Sequence, residues 1–375
     1  MKLKQIPEDF IVEELFDDTT NAQKGGNFAY FELTKKNYAQ MKAIEIVADT
    51  FNVERKQLRF AGTKDKVGIT KQIISIQNLN KNNIQNQVDY LNEHNKDIQL
   101  KYLGNFNRRI NLGDNLGNRF KIVIHDLNKE DTLKIKDNSK KIQKDGALNF
   151  FDEQRFGFAN NSHIIGLRVL QNNLEGAVKE ILISHPKDAS NEHITIVEEI
   201  KNNWDDIKSQ NLDIIDKIIN LMPNYLRVEK KILEHLKKAK NDFPGSFRTI
   251  HKKLRTLYIN AYQSYIFNEL LKNFPQENEF PLLISSTKFQ NEDIDKYVSN
   301  LLIKDNISRE NFKLPSSPEY KFNFEVKRKT RIFPKNFKFK EEEKDELNEN
   351  KLKLEVEFEL EKGAYATNII KQLFL

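Results

Sequence analysis

The stretch KLKLEVEFEL, Lys351–Leu360, alternates apolar and charged residues without a break. Extended chain points successive side chains to opposite faces, so Leu352, Leu354, Val356, Phe358 and Leu360 share one side of a half-buried strand. Before it, the stretch from Lys327 to Lys340 carries seven basic residues and no acid. The acidic run EEEKDE, Glu341–Glu346, reads as a solvent-exposed hairpin connection. After it, GAYATNIIKQLFL leaves the strand through Gly363 and reads as a short helix.

The N-terminal part has the same β character, mixed with helix. FAYFELTKKN alternates, with Phe28, Tyr30 and Glu32 on one face. AQMKAIEIVADTFNV places Met41, Ile44, Ile46, Val47 and Phe51 near helical spacing. ITKQIISIQNL has the β-branched density of a strand. LGDNLGNRFKIVIHDL is a Gly/Asn turn entering another strand, and residues 129–145 read as a solvated, Lys-rich helix. From about residue 173 to 325 helical patterns dominate. The longest, LRTLYINAYQSYIFNELLKNF, sets Leu257, Tyr258, Tyr262, Tyr265, Ile266 and Leu270 on a stripe that fits core packing. Two β-rich ends around a helical middle predict an inserted domain: residues 1–172 and 326–375 as one domain, 173–325 as the other.

At 375 residues, two domains are the ordinary expectation. The chain is 38% hydrophobic and 31% charged, with no apolar run long enough to cross a membrane and no secretory signal at its start. A cytoplasmic protein is the plain reading. It has no cysteine, which removes disulfides, zinc–thiolate sites and thiol catalysis. Its seven histidines show no metal-binding spacing, so no metal is expected. A formal charge of +6 permits a polyanionic partner without requiring one.

Two stretches carry candidate chemistry. In RFAGTKDKVGITKQ, Arg59–Gln72, a lone acid sits between two lysines. The phosphate-loop spacing is missing, as is the spacer of a guanine-reading Thr-Lys-x-Asp motif. What remains is Asp65, whose neighbouring cations favour an ionised carboxylate able to act as nucleophile or base. Gly62 is expected to let the backbone turn there. In LNFFDEQRFGFAN, Leu148–Asn160, phenylalanines, an Asn and an Arg suit an unstacked base, and equally suit a buried core.

These stretches, with IPEDFIVEE, LGDNLGNRFKIVI, LRTLYINAYQSYIFN and LEKGAYATNIIKQL, resemble the TruD family of pseudouridine synthases, in family order along the chain. The resemblance implies an α+β fold: a catalytic domain with a mixed, mainly antiparallel sheet, an inserted α-rich TRUD domain, and an RNA-binding cleft between them. It implies isomerisation of uridine to pseudouridine in tRNA, at uridine 13 of the D-arm, by a monomer without cofactor. Position by position, Asp65 matches the catalytic aspartate and Phe151 the aromatic that stacks on the flipped base. Asn149 matches a residue that orders the site, and Lys4 and Phe10 the N-terminal basic and aromatic residues beside it. Tyr365 matches an aromatic of the closing motif. Lys4 or Arg155 is expected to approach the Asp65 carboxylate. Lys371 and Gln372 stand where the family has an Arg-Glu pair, so no role is carried over to them. Lys327–Lys340, Arg108 and Arg109 are candidates for phosphate contacts. Two other readings remain: a non-catalytic RNA-binding or RNA-chaperone protein on the same fold, and a hydrolytic N-glycosidase that would release free uracil.

Overall fold

The computed structural model describes residues 1–16, 24–80, 83–282, 288–313 and 327–375. The chain divides into two compact units, Met1–Ala147 with Ile332–Leu375, and Leu148–Arg331.

In the first unit the order is β1 (Phe10–Leu15), β2 (Lys24–Lys36), α1 (Gln40–Thr50), β3 (Leu58–Phe60), β4 (Ile69–Gln77), α2 (Ile84–His94), β5 (Ile98–Phe106), β6 (Gly117–Leu127) and α3 (Lys129–Asp145). A short strand, β7 (Ala147–Leu148), ends this stretch. In the second unit come α4 (Ser162–Leu170), α5 (Leu174–Leu182), α6 (Asn191–Asn202), α7 (Trp204–Ser209), α8 (Leu212–Leu221), α9 (Arg227–Lys238), α10 (Phe243–Arg248), α11 (Lys252–Asn273), β8 (Glu279–Pro281), α12 (Glu292–Lys304) and β9 (Lys327–Lys329). The chain returns through β10 (Arg331–Ile332) to β11 (Lys335–Phe339), β12 (Glu343–Lys344), β13 (Leu352–Glu361) and α13 (Ala366–Leu373).

The first unit is built on one sheet of order β11-β13-β6-β1-β4-β2-β5, with β12 on β13 and β3 on β4. Its pairs are antiparallel except β1 with β4, which run parallel. β13 places Leu354, Val356, Phe358 and Leu360 in the core, as its alternation requires. Register then carries the apolar face across: Phe358 opposes Phe120, Phe120 opposes Val12, and Val12 lies beside Thr70. Ile74 opposes Phe31 further along β4.

Two separate cores cover that face. One packs Phe10, Val12, Phe120 and the β13 residues against Ile135 and Ile142 of α3 and Ile369, Ile370 and Leu373 of α13. The other packs Phe31, Leu33, Ile74 and Ile76 against α1 and α2 through Ile44, Val47, Val88 and Leu91. Near the parallel β1–β4 seam the apolar face is interrupted by Thr70, Gln72 and Lys35, all buried. Thr70 opposes Lys35 in the β4–β2 ladder.

The second unit is mostly helical. Its long α11 buries residues on several sides, Arg255, Tyr258, Ile259, Tyr262, Ile266 and Leu270 among them. That marks an interior helix instead of one with a single core stripe. Leu257, expected on the stripe, is 38% exposed, and Tyr265 is only half-buried. α4 lies so close to α11 that a Cβ on Gly166 would come 2.1 Å from the Tyr258 carbonyl oxygen. This packing sets α4, and with it residues 148–172, in the same unit as α11. The compact units therefore divide at 147/148 and 331/332. The expected divide at 172/173 falls between α4 and α5, and that at 325/326 lies outside the described residues.

Candidate active site

The loop from Ala61 to Gly68 joins β3 to β4 and carries Asp65. Five anchors set its path. Gly113 N donates to Ala61 O at 2.8 Å. Lys64 turns away from Asp65 and into the protein, where its Nζ lies 2.6 Å from Glu14 Oε1 and 2.8 Å from Asn118 Oδ1. Both partners of the Lys64–Glu14 pair are buried, with side-chain exposures of 6% and 0%. The Lys35 Nζ donates to the Asp65 main-chain oxygen. Asn37 closes the loop from both sides: its N donates to Gly68 O at 2.9 Å, and its Oδ1 accepts from Gly68 N at 2.9 Å.

Gly68 is the glycine the loop needs. Its φ is +108°, and a Cβ there would stand 2.3 Å from the Phe10 carbonyl oxygen. Gly62, expected to make the turn, has no positive φ, and a Cβ on it would meet only the Lys64 ammonium at 3.9 Å.

With its backbone held, Asp65 keeps a side chain 34% exposed. Lys4 Nζ lies 3.5 Å from Asp65 Oδ2 and 3.9 Å above the Phe10 ring. Phe10 is itself buried in the sheet core, so the ring is a fixed platform for the ammonium. Lys4 has φ +57°, a left-handed conformation uncommon for a side-chain-bearing residue. Its neighbours enforce it. Lys2 exchanges both backbone bonds with His125, at 3.0 and 2.9 Å, and Lys2 Nζ donates to Asn348 Oδ1 at 2.6 Å. Ile6 N donates to Asp9 Oδ2 at 2.9 Å.

His125 is fully buried between two acids, its Nε2 3.0 Å from Asp9 Oδ1 and its Nδ1 2.8 Å from Asp345 Oδ1. Burial alone would lower the His125 pKa, but the hydrogen bonds to Asp345 and Asp9 outweigh it and raise it. Burial pushes the Asp345 pKa up, and bonds from the Asp126 amide, His125, the Leu347 amide and Asn348 more than reverse this, holding it well below the carboxylate range. The acidic run 341–346 is thus not all solvent-exposed: Asp345 is pinned inside by a histidine more than two hundred residues away in the chain.

The second unit holds a cluster of its own. Phe151 exchanges two hydrogen bonds with the Asn268 amide of α11, at 2.8 and 2.9 Å. Its ring meets Phe267 edge-on at 5.3 Å and is covered by the Arg328 guanidinium at 4.1 Å, leaving 8% of the residue exposed. Asn149 fixes that guanidinium, accepting from Arg328 through both its side chain and its carbonyl, and donates to Lys329 O at 2.9 Å. Arg155 donates to Ser264 Oγ at 2.8 Å and stands 5.3 Å from the Phe151 ring. Tyr365 is half-buried at the N-cap of α13, where its carbonyl accepts from Asn368 N and Ile369 N.

The structure therefore brings together Lys4, Phe10 and Asp65 in one unit, and Asn149, Phe151 and Arg155 in the other. Sequence reasoning missed Lys35, Gly68, Asn268 and Arg328 as parts of these clusters. Lys35 had a signal: alternation along FAYFELTKKN puts it with Phe31 and Leu33 on the apolar face. Several basic residues considered for phosphate contacts pair with local acids: Lys327 with Glu279, Lys340 with Glu355, and Arg108 with Asp114. Among the described residues, no group of three or more His, Asp or Glu side chains is placed to hold a metal ion.

The mixed sheet, with its parallel β1–β4 seam, thus presents a held, partly exposed aspartate beside a lysine. The family model for tRNA pseudouridine synthase D matches residues 1–282 and 277–373. The probable tRNA pseudouridine synthase D 2 of Methanocaldococcus jannaschii is 31% identical across the whole chain and 92% of its own length. The probable tRNA pseudouridine synthase D 1 of Methanococcus maripaludis is 29% identical across the whole chain and 99% of its own. A crystal structure of the putative enzyme from Methanosarcina mazei superposes with a TM-score of 0.77 at 25% identity, covering all of this chain and 93% of the other. The chain belongs to the tRNA pseudouridine synthase D (TruD) family, a family of isomerases.

Proposed function

We propose that this protein isomerises uridine to pseudouridine at position 13 of the tRNA D-arm, with Asp65 as the catalytic carboxylate and a flipped base as its target. The observation that carries this reading is the Lys4–Asp65 pair, a partly exposed carboxylate on a loop anchored at five points. Asp65 either attacks the ribose C1′ or takes the C2′ proton while the N1–C1′ bond breaks. Uracil turns and its C5 bonds to C1′, which releases the Asp65 carboxylate in the first route and takes the proton back from Asp65 to C2′ in the second; the C5 proton then leaves to solvent, and N1 gains a proton. Both routes need an ionised Asp65 and a rigid loop. Lys4 supplies the neighbouring cation, and Phe10 holds Lys4 in place.

Phe151 is assigned to the flipped uracil, with Asn149 and Arg155 ordering its surroundings. Unstacking a nucleotide costs a few kcal/mol, and stacking on an aromatic returns about 1–3 kcal/mol. Phe151 is held through its backbone, and its ring lies under the Arg328 guanidinium with 8% of the residue exposed, so a base stacks on that face only once the guanidinium moves aside. The protein acts in the cytoplasm on this reading. The test is mapping of pseudouridine in tRNA from cells with and without the gene. Loss confined to position 13 supports the proposal. Unchanged tRNA would leave an RNA-binding protein, and abasic sites with free uracil would mark a glycosidase.

A further inference from the structure

Lys35 is a costly residue. Its side chain has no exposed surface, and it shares the apolar sheet face with Phe31 and Leu33. Its ladder neighbours are Thr70 on β4 and Ile98 on β5, neither charged. Among the described residues, the Thr70 hydroxyl and both polar atoms of the Gln72 side chain are buried without a partner. Among the described residues Lys35 forms no ion pair with any carboxylate. Its ammonium donates a hydrogen bond to the Asp65 main-chain oxygen. The charges that act on it are Asp65, which favours the ammonium, and Lys64, which opposes it.

A neutral donor would hold the Asp65 carbonyl as well, without a buried charge. The charge therefore needs its own reason. Lys4, a cation at the Asp65 carboxylate, is 24% exposed and so open to ions from outside. A bound RNA removes water from Asp65 and surrounds it with anions, and both effects favour the protonated carboxyl. A cation that RNA cannot draw away must sit beneath the loop, and Lys35 is placed there.

We propose that Lys35 is a second positioning cation of the active site, fixing the Asp65 backbone and keeping its carboxylate ionised in the RNA complex. This rests on Asp65 being the catalytic group. Burial pushes the Lys35 ammonium down to about 8, with Lys64 adding to the fall and Asp65 resisting it. Above that pH the amine still donates to the carbonyl, but its charge is gone.

The experiment is the pH dependence of single-turnover pseudouridine formation by wild type, Lys35→Met and Lys35→Gln. Wild type keeps its rate as Lys35 loses its proton near pH 8, because alkaline medium itself keeps a carboxylate ionised. In both variants the acid limb moves up by about one to three pH units, the range one nearby charge produces. Their tRNA affinity stays within about twofold, because Lys35 touches no solvent. A wild-type profile in Lys35→Met, or its full restoration by Lys35→Gln, overturns the proposal.

A second measurement needs neither RNA nor turnover. Lysine Cε resonances of the full chain, titrated by NMR, show one lysine near pH 8 in wild type and lower in Asp65→Asn. An unmoved titration shows that the two charges do not communicate and overturns the proposal even where Lys35 variants fail to fold. A wild type inactive on tRNA refutes the function instead, and is distinguished by that fact.

Discussion

Replacing Lys64 with methionine isolates the anchor of the Asp65 loop. Methionine fills a similar volume but leaves Glu14 buried without its cation. The Lys64–Glu14 contact is 2.6 Å between side chains 6% and 0% exposed, so neither group can recover solvent by a small movement. Breaking a buried pair by removing one partner costs about 3–5 kcal/mol. One bond to Glu14 survives, from Ile73 N at 3.1 Å, which places the expected loss toward the lower end, about 3 kcal/mol. Removing the stranded charge as well, in Lys64→Met with Glu14→Gln, recovers more than half of it. The assay is urea unfolding of the full chain. The single tryptophan, Trp204, lies in α7 of the second unit, so its fluorescence reports that unit. Amide exchange in β4 and β6 reports the first. The early transition appears in the second set of signals and not in Trp204 fluorescence. A loss under about 1 kcal/mol, or a double variant no more stable than Lys64→Met, refutes the claim that this pair fixes the loop.

Gly68→Ala forces a Cβ to within 2.3 Å of the Phe10 carbonyl at φ +108°, so turnover falls at least tenfold with tRNA affinity retained; unchanged single-turnover rates contradict the loop geometry. His125 contributes stability that is present below about pH 6.5 and lost as pH rises through its raised folded-state pKa, while Asp345 contributes stability present above about pH 4 and lost on further acidification. Full-chain stability is therefore greatest from about pH 4 to 6.5 from this pair, and His125→Asn removes the decline between pH 6 and 8; a variant with the wild-type decline argues against a charged His125. Phe151→Leu keeps most of the packing against Phe267 yet lowers turnover more than tRNA affinity, and an effect on affinity alone is inconsistent with placement of the flipped base.

Much of the frame is legible in the sequence because alternation is a local property. KLKLEVEFEL announces its own buried face, the helix at 40–50 follows from spacing, and that at 129–145 follows from its polar, Lys-rich composition, though it also buries Ile135 and Ile142. Readings fail where a residue's surroundings come from far along the chain. Asp345 sits in a run of acids, yet His125 draws it inside. Leu257 fits a helical stripe, but α11 is buried on several sides and turns that residue outward. Gly62 is the expected turn glycine, but the close approach that demands a glycine is at Gly68, where Phe10 passes. Lys4, sixty-one residues earlier, places a cation beside Asp65, while adjacent Lys64 serves Glu14. Lys35 was readable, since a lysine in phase with Phe31 and Leu33 contradicts an apolar face and so marks a special position.

The central claim is that Asp65 is the carboxylate that does the chemistry. Tritium release from tRNA carrying 5-tritiated uridine measures it directly, because the C5 hydrogen leaves only when the isomerisation completes. Wild type releases tritium from its own cell's tRNA. Asp65→Ala releases none while binding that tRNA with near-normal affinity. Near-normal release by Asp65→Ala would contradict the account.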